Sequence, residues 1–187
     1  RACLAALAMF EALDELNRTE ATAIRIGVGL NSGICCVGNL GSEQRFDYSA
    51  IGDNVNIASR FEGLSKAYAV TTIVGERTAS SLPPDAVLEL DLVRVKGRSE
   101  PTRIYTLLEV LHPDKGARER LIAAHAKFLS VYRAQKWDDA EAAMKECLAT
   151  GVAGLESYYA VLSKRIAGHR AKPLPPDWDG AFTAEEK

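Results

Sequence analysis

The first 18 residues are apolar almost throughout, and at about 100° per residue Glu11, Asp14, Glu15 and Arg18 collect on one narrow stripe. With no Gly or Pro to interrupt it, this stretch predicts a helix that needs cover on most of its circumference. Two β-branched runs follow, Ile24 to Leu30 and Ile34 to Val37, separated by Asn31-Ser32-Gly33, which is hairpin chemistry. Gly38-Asn39-Leu40-Gly41 reads as a second loop and Arg45 to Ile51 as a further strand. Gly52 breaks that strand, and Asp53 is placed to cap a helix running to about Leu64. Strands are predicted at Thr71 to Val74, Leu88 to Val95 and Ile104 to Val110, with a short helix near Glu76 to Ser81 and a turn at Pro83-Pro84-Asp85. This order predicts an α+β layered domain over residues 1–111.

From Pro113 the pattern changes. Residues 116–134, 137–149 and 154–167 read as three helices without intervening strands, with Leu121, Phe128, Tyr132, Trp137, Ala140 and Met144 at helical spacing. The first two, around Y-R-A-Q-K-W-D-D-A-E, resemble a tetratricopeptide-type hairpin. One such unit cannot bury its own face, so residues 112–187 are expected to lean on the α+β part. Prolines extend the tail from Lys172 to Trp178, and Trp178 is expected to anchor it.

Composition narrows the classes. The 23 basic and 25 acidic residues give a net charge of -2, so no basic field is present for nucleic acid. The longest apolar run, Ala2 to Phe10, falls short of the about 20 residues of a membrane span. Four cysteines without a C-x-x-C pair and three scattered histidines suggest neither a zinc site nor a disulfide framework, which points to a reducing, cytoplasmic setting. The chain opens at Arg1 inside an apolar pattern, without a start methionine or signal-peptide layout, and is expected to be part of something longer, with a membrane tether elsewhere in the parent compatible with that setting.

The chemistry concentrates in G-D-N-V-N-I-A-S-R-F, Gly52 to Phe61. On the predicted helix Asn56 and Arg60 stand at i and i+4, about 40° apart, so an amide and a guanidinium project side by side. Ile57, Ala58, Phe61 and Leu64 occupy a separate arc. Arg offers a rigid fork of donors for phosphate oxygens, and Asn a short amide that can orient a neighbouring group.

G-L-N-S-G-I-C-C-V-G-N-L-G-S, then R-F-D-Y-S-A-I-G-D-N-V-N-I-A-S-R-F, then V-K-G-R resemble, in order and spacing, the class III adenylate/guanylate cyclase catalytic domain, from about Ile24 to Val110. The W-D-D-A-E helix and P-P-D-W-D-G tail resemble the extension that follows this domain in some bacterial membrane-tethered adenylate cyclases. The resemblance implies a partial ferredoxin-like fold, a mostly antiparallel sheet with helices on one face, followed by an α-helical hairpin. It also implies attack of a ribose 3'-hydroxyl on the α-phosphate of a nucleoside triphosphate, ATP by the overall pattern. Arg60 then stabilises the charge developing on the α-phosphate, Asn56 holds the ribose, Lys96 contacts the polyphosphate, and Ser49 stands where the purine is read. Read without the family, Arg60 and Asn56 are surface side chains, Lys96 a solvated turn lysine beside Gly97, and Ser49 a strand hydroxyl; Ser49 can donate and accept, so it does not by itself separate adenine from guanine.

The family holds two Mg²⁺ or Mn²⁺ ions on a pair of aspartates in the half of the domain that precedes the first helix here, so their ligands are not expected in this chain. Its sites are built between two subunits, which implies a homodimer and one side of each site per chain. The isolated chain is expected to be inactive in cyclisation. The alternative is a non-catalytic dimerisation or protein-interaction module derived from a cyclase. Missing first strands would leave a sheet edge and the face of the first helix open to a partner.

Overall fold

A computed structural model of the chain describes residues 1–42, 45–95, 100–108 and 114–183. The elements are α1 (Ala2–Asn17), β1 (Val28–Leu30), β2 (Cys36–Ser42), β3 (Arg45–Ile51), α2 (Asp53–Ala67), β4 (Thr72–Gly75), α3 (Glu76–Ala79), β5 (Val87–Arg94), β6 (Thr102–Leu107), α4 (Lys115–Arg133), α5 (Trp137–Leu148), α6 (Glu156–Ala171) and β7 (Phe182–Thr183). Sheet and helices are mixed, with a helical C-terminal part. Five strands form one sheet in the order β1-β4-β6-β5-β7, antiparallel at its centre and parallel at both edges. β2 and β3 form a separate antiparallel ribbon, Cys36 opposite Ile51 and Gly38 opposite Ser49.

The hairpin expected across Asn31-Ser32-Gly33 does not form. The Asn31 amide is committed to α2, donating to Asn54 O at 3.1 Å and Asn54 Oδ1 at 3.2 Å, and β1 pairs in parallel with β4. The stretch Gly38 to Gly41, expected as a loop, lies inside β2, whose partner is β3. An antiparallel pair tolerates these glycines because its register is held by the ladder on both sides.

One core runs through the molecule. It joins Ile57 and Phe61 of α2, Ile73, Leu88, Leu90 and Ile104 of the sheet, and Leu121, Phe128, Tyr158 and Ile166 of the C-terminal helices. The helices therefore bury their apolar stripes against the sheet rather than against each other alone. Trp178 fixes the tail, donating from Nε1 to Ala181 O at 3.0 Å and meeting the Tyr132 ring edge-on at 5.7 Å. Arg94 pairs with Asp179 at 2.5 Å and β7 adds to β5 at Val93 and Arg94.

His125 is sealed between α4, α6 and β5. Its Nε2 lies 2.7 Å from Glu89 O and its Nδ1 2.9 Å from the Tyr159 hydroxyl. A carbonyl only accepts, so Nε2 carries the proton and Nδ1 accepts from Tyr159. Burial disfavours the imidazolium and pushes the His125 pKa down to about 4.

Closure is poorer at the other end. A small cluster of Cys3, Val74, Ala79 and Leu107 sits under α1, which leaves Leu4, Met9 and Leu16 exposed. Ile34, Val37, Tyr48 and Ile51 are likewise exposed on and beside the ribbon. Among the described residues β1 has a strand on one edge only. No helix among them is long and apolar enough to cross a membrane.

Candidate active site

The ribbon delivers the chain into α2 through Gly52, at φ 147° and ψ 164°. That φ is open to glycine and strained for side chains, although a Cβ there would meet Cys35 only at ordinary van der Waals distance. Gly52 is the N-cap, and Asp53, expected as the cap, is the first helical residue. A residue at that position still places a carboxylate beside the positive end of the helix. The helix runs to Ala67, three residues beyond the expected end.

α2 is pressed onto the sheet. A Cβ on Gly29 of β1 would overlap the backbone of Ala58 and Glu62, so glycine is what permits this approach. Ile57 and Phe61 enter the core at 3% and 1% exposure, as their arc requires. The first turn is laced to the segment after β1: Asn31 donates to Asn54, and Asn54 Nδ2 donates in turn to Ile34 O at 3.1 Å. Ser32 and Thr78 hydroxyls meet at 2.8 Å. Asn54 was given no role by the sequence, although the same G-D-N-V-N run carries it.

Asn56 is exposed and Arg60 half-buried, one turn apart on the side of α2 away from the core. Asn56 N donates to Gly52 O at 3.1 Å, but among the described residues neither side chain enters a hydrogen bond or ion pair. Ser49 is half-buried on β3, the strand that leads into this helix, opposite Gly38. Lys96 lies outside the described residues; Val95, just before it, is buried at 2% exposure. A cleft of about 370 Å³ opens elsewhere, between Asn31, Asn54, Ile57, Glu76 and Arg77. Neither Asn56 nor Arg60 lines it.

Residues 1–109 match the profile described as the adenylate and guanylate cyclase catalytic domain. The chain belongs to this family. It is 35% identical over 113 residues to an adenylate cyclase of Anabaena cylindrica, covering 54% of this chain and 22% of that protein. An adenylate cyclase of Rhizobium meliloti is 33% identical over 115 residues, covering 59% and 17%. The crystal structure of an adenylyl cyclase from P. aeruginosa aligns with 30% identity and a TM-score of 0.43, over 56% of this chain and 54% of that one. The chain thus spans less than a quarter of the length of these two curated relatives.

The cyclase family implies divalent metal ions, held on a pair of aspartates that the resemblance places outside this chain. Among the described residues no group of three or more His, Cys, Asp or Glu side chains converges on one point. What this cyclase-family chain offers is a donor-rich pair on a rigid helix, suited to anionic and hydroxyl groups of a ligand.

Proposed function

We propose that this chain supplies the ribose- and phosphate-positioning side of a purine nucleotide cyclase that converts ATP to 3',5'-cyclic AMP and pyrophosphate. The observation that carries this reading is the Asn56/Arg60 pair, held side by side on a helix whose Ile57/Phe61 arc is locked in the core, with no side-chain partner among the described residues. In the reaction the 3'-oxygen forms a bond to the α-phosphorus, the bond from that phosphorus to the bridging oxygen breaks, and pyrophosphate leaves. Arg60 neutralises charge that grows on the non-bridging oxygens, and Asn56 holds the ribose in line. Lys96 takes the polyphosphate as a compact point charge, and the Ser49 hydroxyl faces the base. ATP is favoured over GTP because both curated relatives named above are adenylate cyclases. Mg²⁺ or Mn²⁺ would be held by acidic residues of another subunit or segment, in a homodimer whose sites are completed between chains. In the same reading α4 and α5 are a tetratricopeptide-like hairpin that follows the cyclase part.

The test is complementation. The purified chain is mixed with a homologous cyclase domain that keeps its metal-binding aspartates but has its own Asn/Arg helix pair replaced by Ala. ATP and Mn²⁺ are added. Product is expected from the mixture and not from either protein alone, and Arg60→Ala in this chain should lower it by about 100-fold or more. A stable mixed complex that makes no product would overturn the reading. That result would favour a protein-contact module, for which the exposed Ile34, Val37 and Tyr48 are the supporting observation.

A further inference from the structure

Asp91 is an acid in the core. In the run Leu88-Glu89-Leu90-Asp91-Leu92 strict alternation turns Asp91 outward with Glu89, but the β5–β6 register shifts between Glu89 and Asp91 and reverses the phase. Asp91 is consequently 1% exposed, while Leu92 is only half-buried. Its carboxylate is enclosed by three donors. The Tyr68 hydroxyl donates to Oδ2 at 2.7 Å, Arg165 Nη1 donates to the same oxygen at 2.6 Å, and the Leu92 amide donates to Oδ1 at 2.8 Å. The Arg165 guanidinium lies 3.8 Å from the centre of the Phe182 ring and 5.0 Å from that of Tyr68. Burial pushes the Asp91 carboxyl up, with Arg165 opposing it. Burial also works against the charge of Arg165, but Tyr68, Asp91 and Tyr132 hold its pKa above the usual value.

Four elements meet at this carboxylate. Tyr68 is the C-cap of α2, Asp91 belongs to β5, Arg165 to α6, and Phe182 to β7. A buried ion pair is seldom more stable than an apolar substitute of the same shape, and its best-attested use is to specify one arrangement among several. Here the arrangement specified is the seating of α2. That helix is continuous from Asp53 to Ala67, so its anchored end lies about 12 Å from Arg60 and about 18 Å from Asn56 along a stiff rod. An error of about 1 Å in a reacting group is enough to slow a reaction by about 100-fold.

We propose that Arg165, acting through Asp91 and Tyr68, is a positioning residue for α2, so that the C-terminal helices and tail set the pose in which Asn56 and Arg60 meet the substrate. The proposal rests on the cyclase reading of that pair. It makes the C-terminal segment part of the catalytic unit, acting through the seating of α2.

Two measurements on the full chain test it. In the complementation mixture, Arg165→Leu should lower kcat about 10-fold with KM for ATP changed by less than about 2-fold, because Arg60 acts on transition-state charge. Arg165→Lys should recover most of the loss. In hydrogen exchange of the chain alone, amides of residues 56–64 in Arg165→Leu should exchange about 10-fold faster than in the wild type, beyond any change in global unfolding. Tyr68→Phe removes one hydroxyl and leaves the Arg165–Asp91 pair in place; it should shift both readouts in the same direction by a smaller factor, and it decides the matter if Arg165→Leu does not fold. Folded variants with unchanged kcat and unchanged α2 exchange would overturn the proposal. A wild-type mixture without product would overturn the cyclase reading instead, while α2 exchange still reports on the anchor.

Discussion

α6 buries Tyr158, Tyr159, Leu162 and Ile166, whereas α1, of the same length and more apolar in sequence, buries only Cys3, Ala6 and Phe10. Leu4 of α1 stays 64% exposed while Tyr158 is 0% exposed. Hydrophobic content does not explain the difference. α6 has β5 beneath it, with Tyr158 donating to Leu90 O and Arg165 to Asp91, and α5 beside it, whereas among the described residues α1 meets β1 and the small cluster around Val74. An apolar residue contributes stability when a second layer removes it from water, and until then it is a surface waiting for a partner.

The largest test of this contrast is Phe128→Ala against Leu4→Ala. Phe128 is fully enclosed among His125, Tyr132 and Tyr159, so its loss should cost about 3–5 kcal/mol. Leu4→Ala should stay within about 0.5 kcal/mol. Urea denaturation of both variants measures this, and equal losses would erase the distinction between the two ends.

Acid should attack the closed end specifically. The His125 pKa, about 4 when folded, lies below the about 6.5 of an exposed imidazole, so between these pH values the unfolded chain binds a proton that the folded chain does not. Stability therefore falls as pH drops from about 6.5 towards 4 and this contribution levels off below, for a total of about 3 kcal/mol. Urea midpoints at pH 7 and pH 4.5 should differ more for the wild type than for His125→Gln. An identical pH slope in both would show that His125 is not sealed from solvent.

The sequence and the structure agree most where one element decides its own placement. Ile57, Phe61, Asn56 and Arg60 sort onto two faces of α2 by helical spacing alone, and spacing is all that the pairing of Asn56 with Arg60 needs. They part where a distant element intervenes. The turn chemistry of Asn31 is real, but α2 captures that amide through Asn54, 23 residues away. Asp91 reads as an outward residue by alternation, and only the register shift against β6 turns it inward. Gly52 rather than Asp53 caps α2 because the ribbon enters the helix at a positive φ, which no local pattern announces.

That entry makes a smaller test between the open ribbon and the closed helix. Gly52→Ala must adopt φ near 147° beside Cys35, which should cost about 1–2 kcal/mol in urea denaturation. Gly63→Ala, on the same helix with nothing within 4 Å of the added Cβ, should instead be neutral or stabilising by up to about 1 kcal/mol. Equal effects would mean that the junction is not strained.

The smallest effect on stability should accompany the largest effect on association. Leu4 and Met9 are exposed on α1, and in a monomer their replacement by Glu should change stability by less than about 0.5 kcal/mol. If α1 and the ribbon are contact surfaces, the wild type should self-associate with rising concentration in light scattering, and Leu4→Glu/Met9→Glu should return it towards the monomer mass. The corresponding change on the ribbon, Val37→Glu/Tyr48→Glu, tells which surface dominates. Wild type that stays strictly monomeric at high concentration would reject the expected pairing and leave the poorer burial of α1 without a structural purpose in this chain.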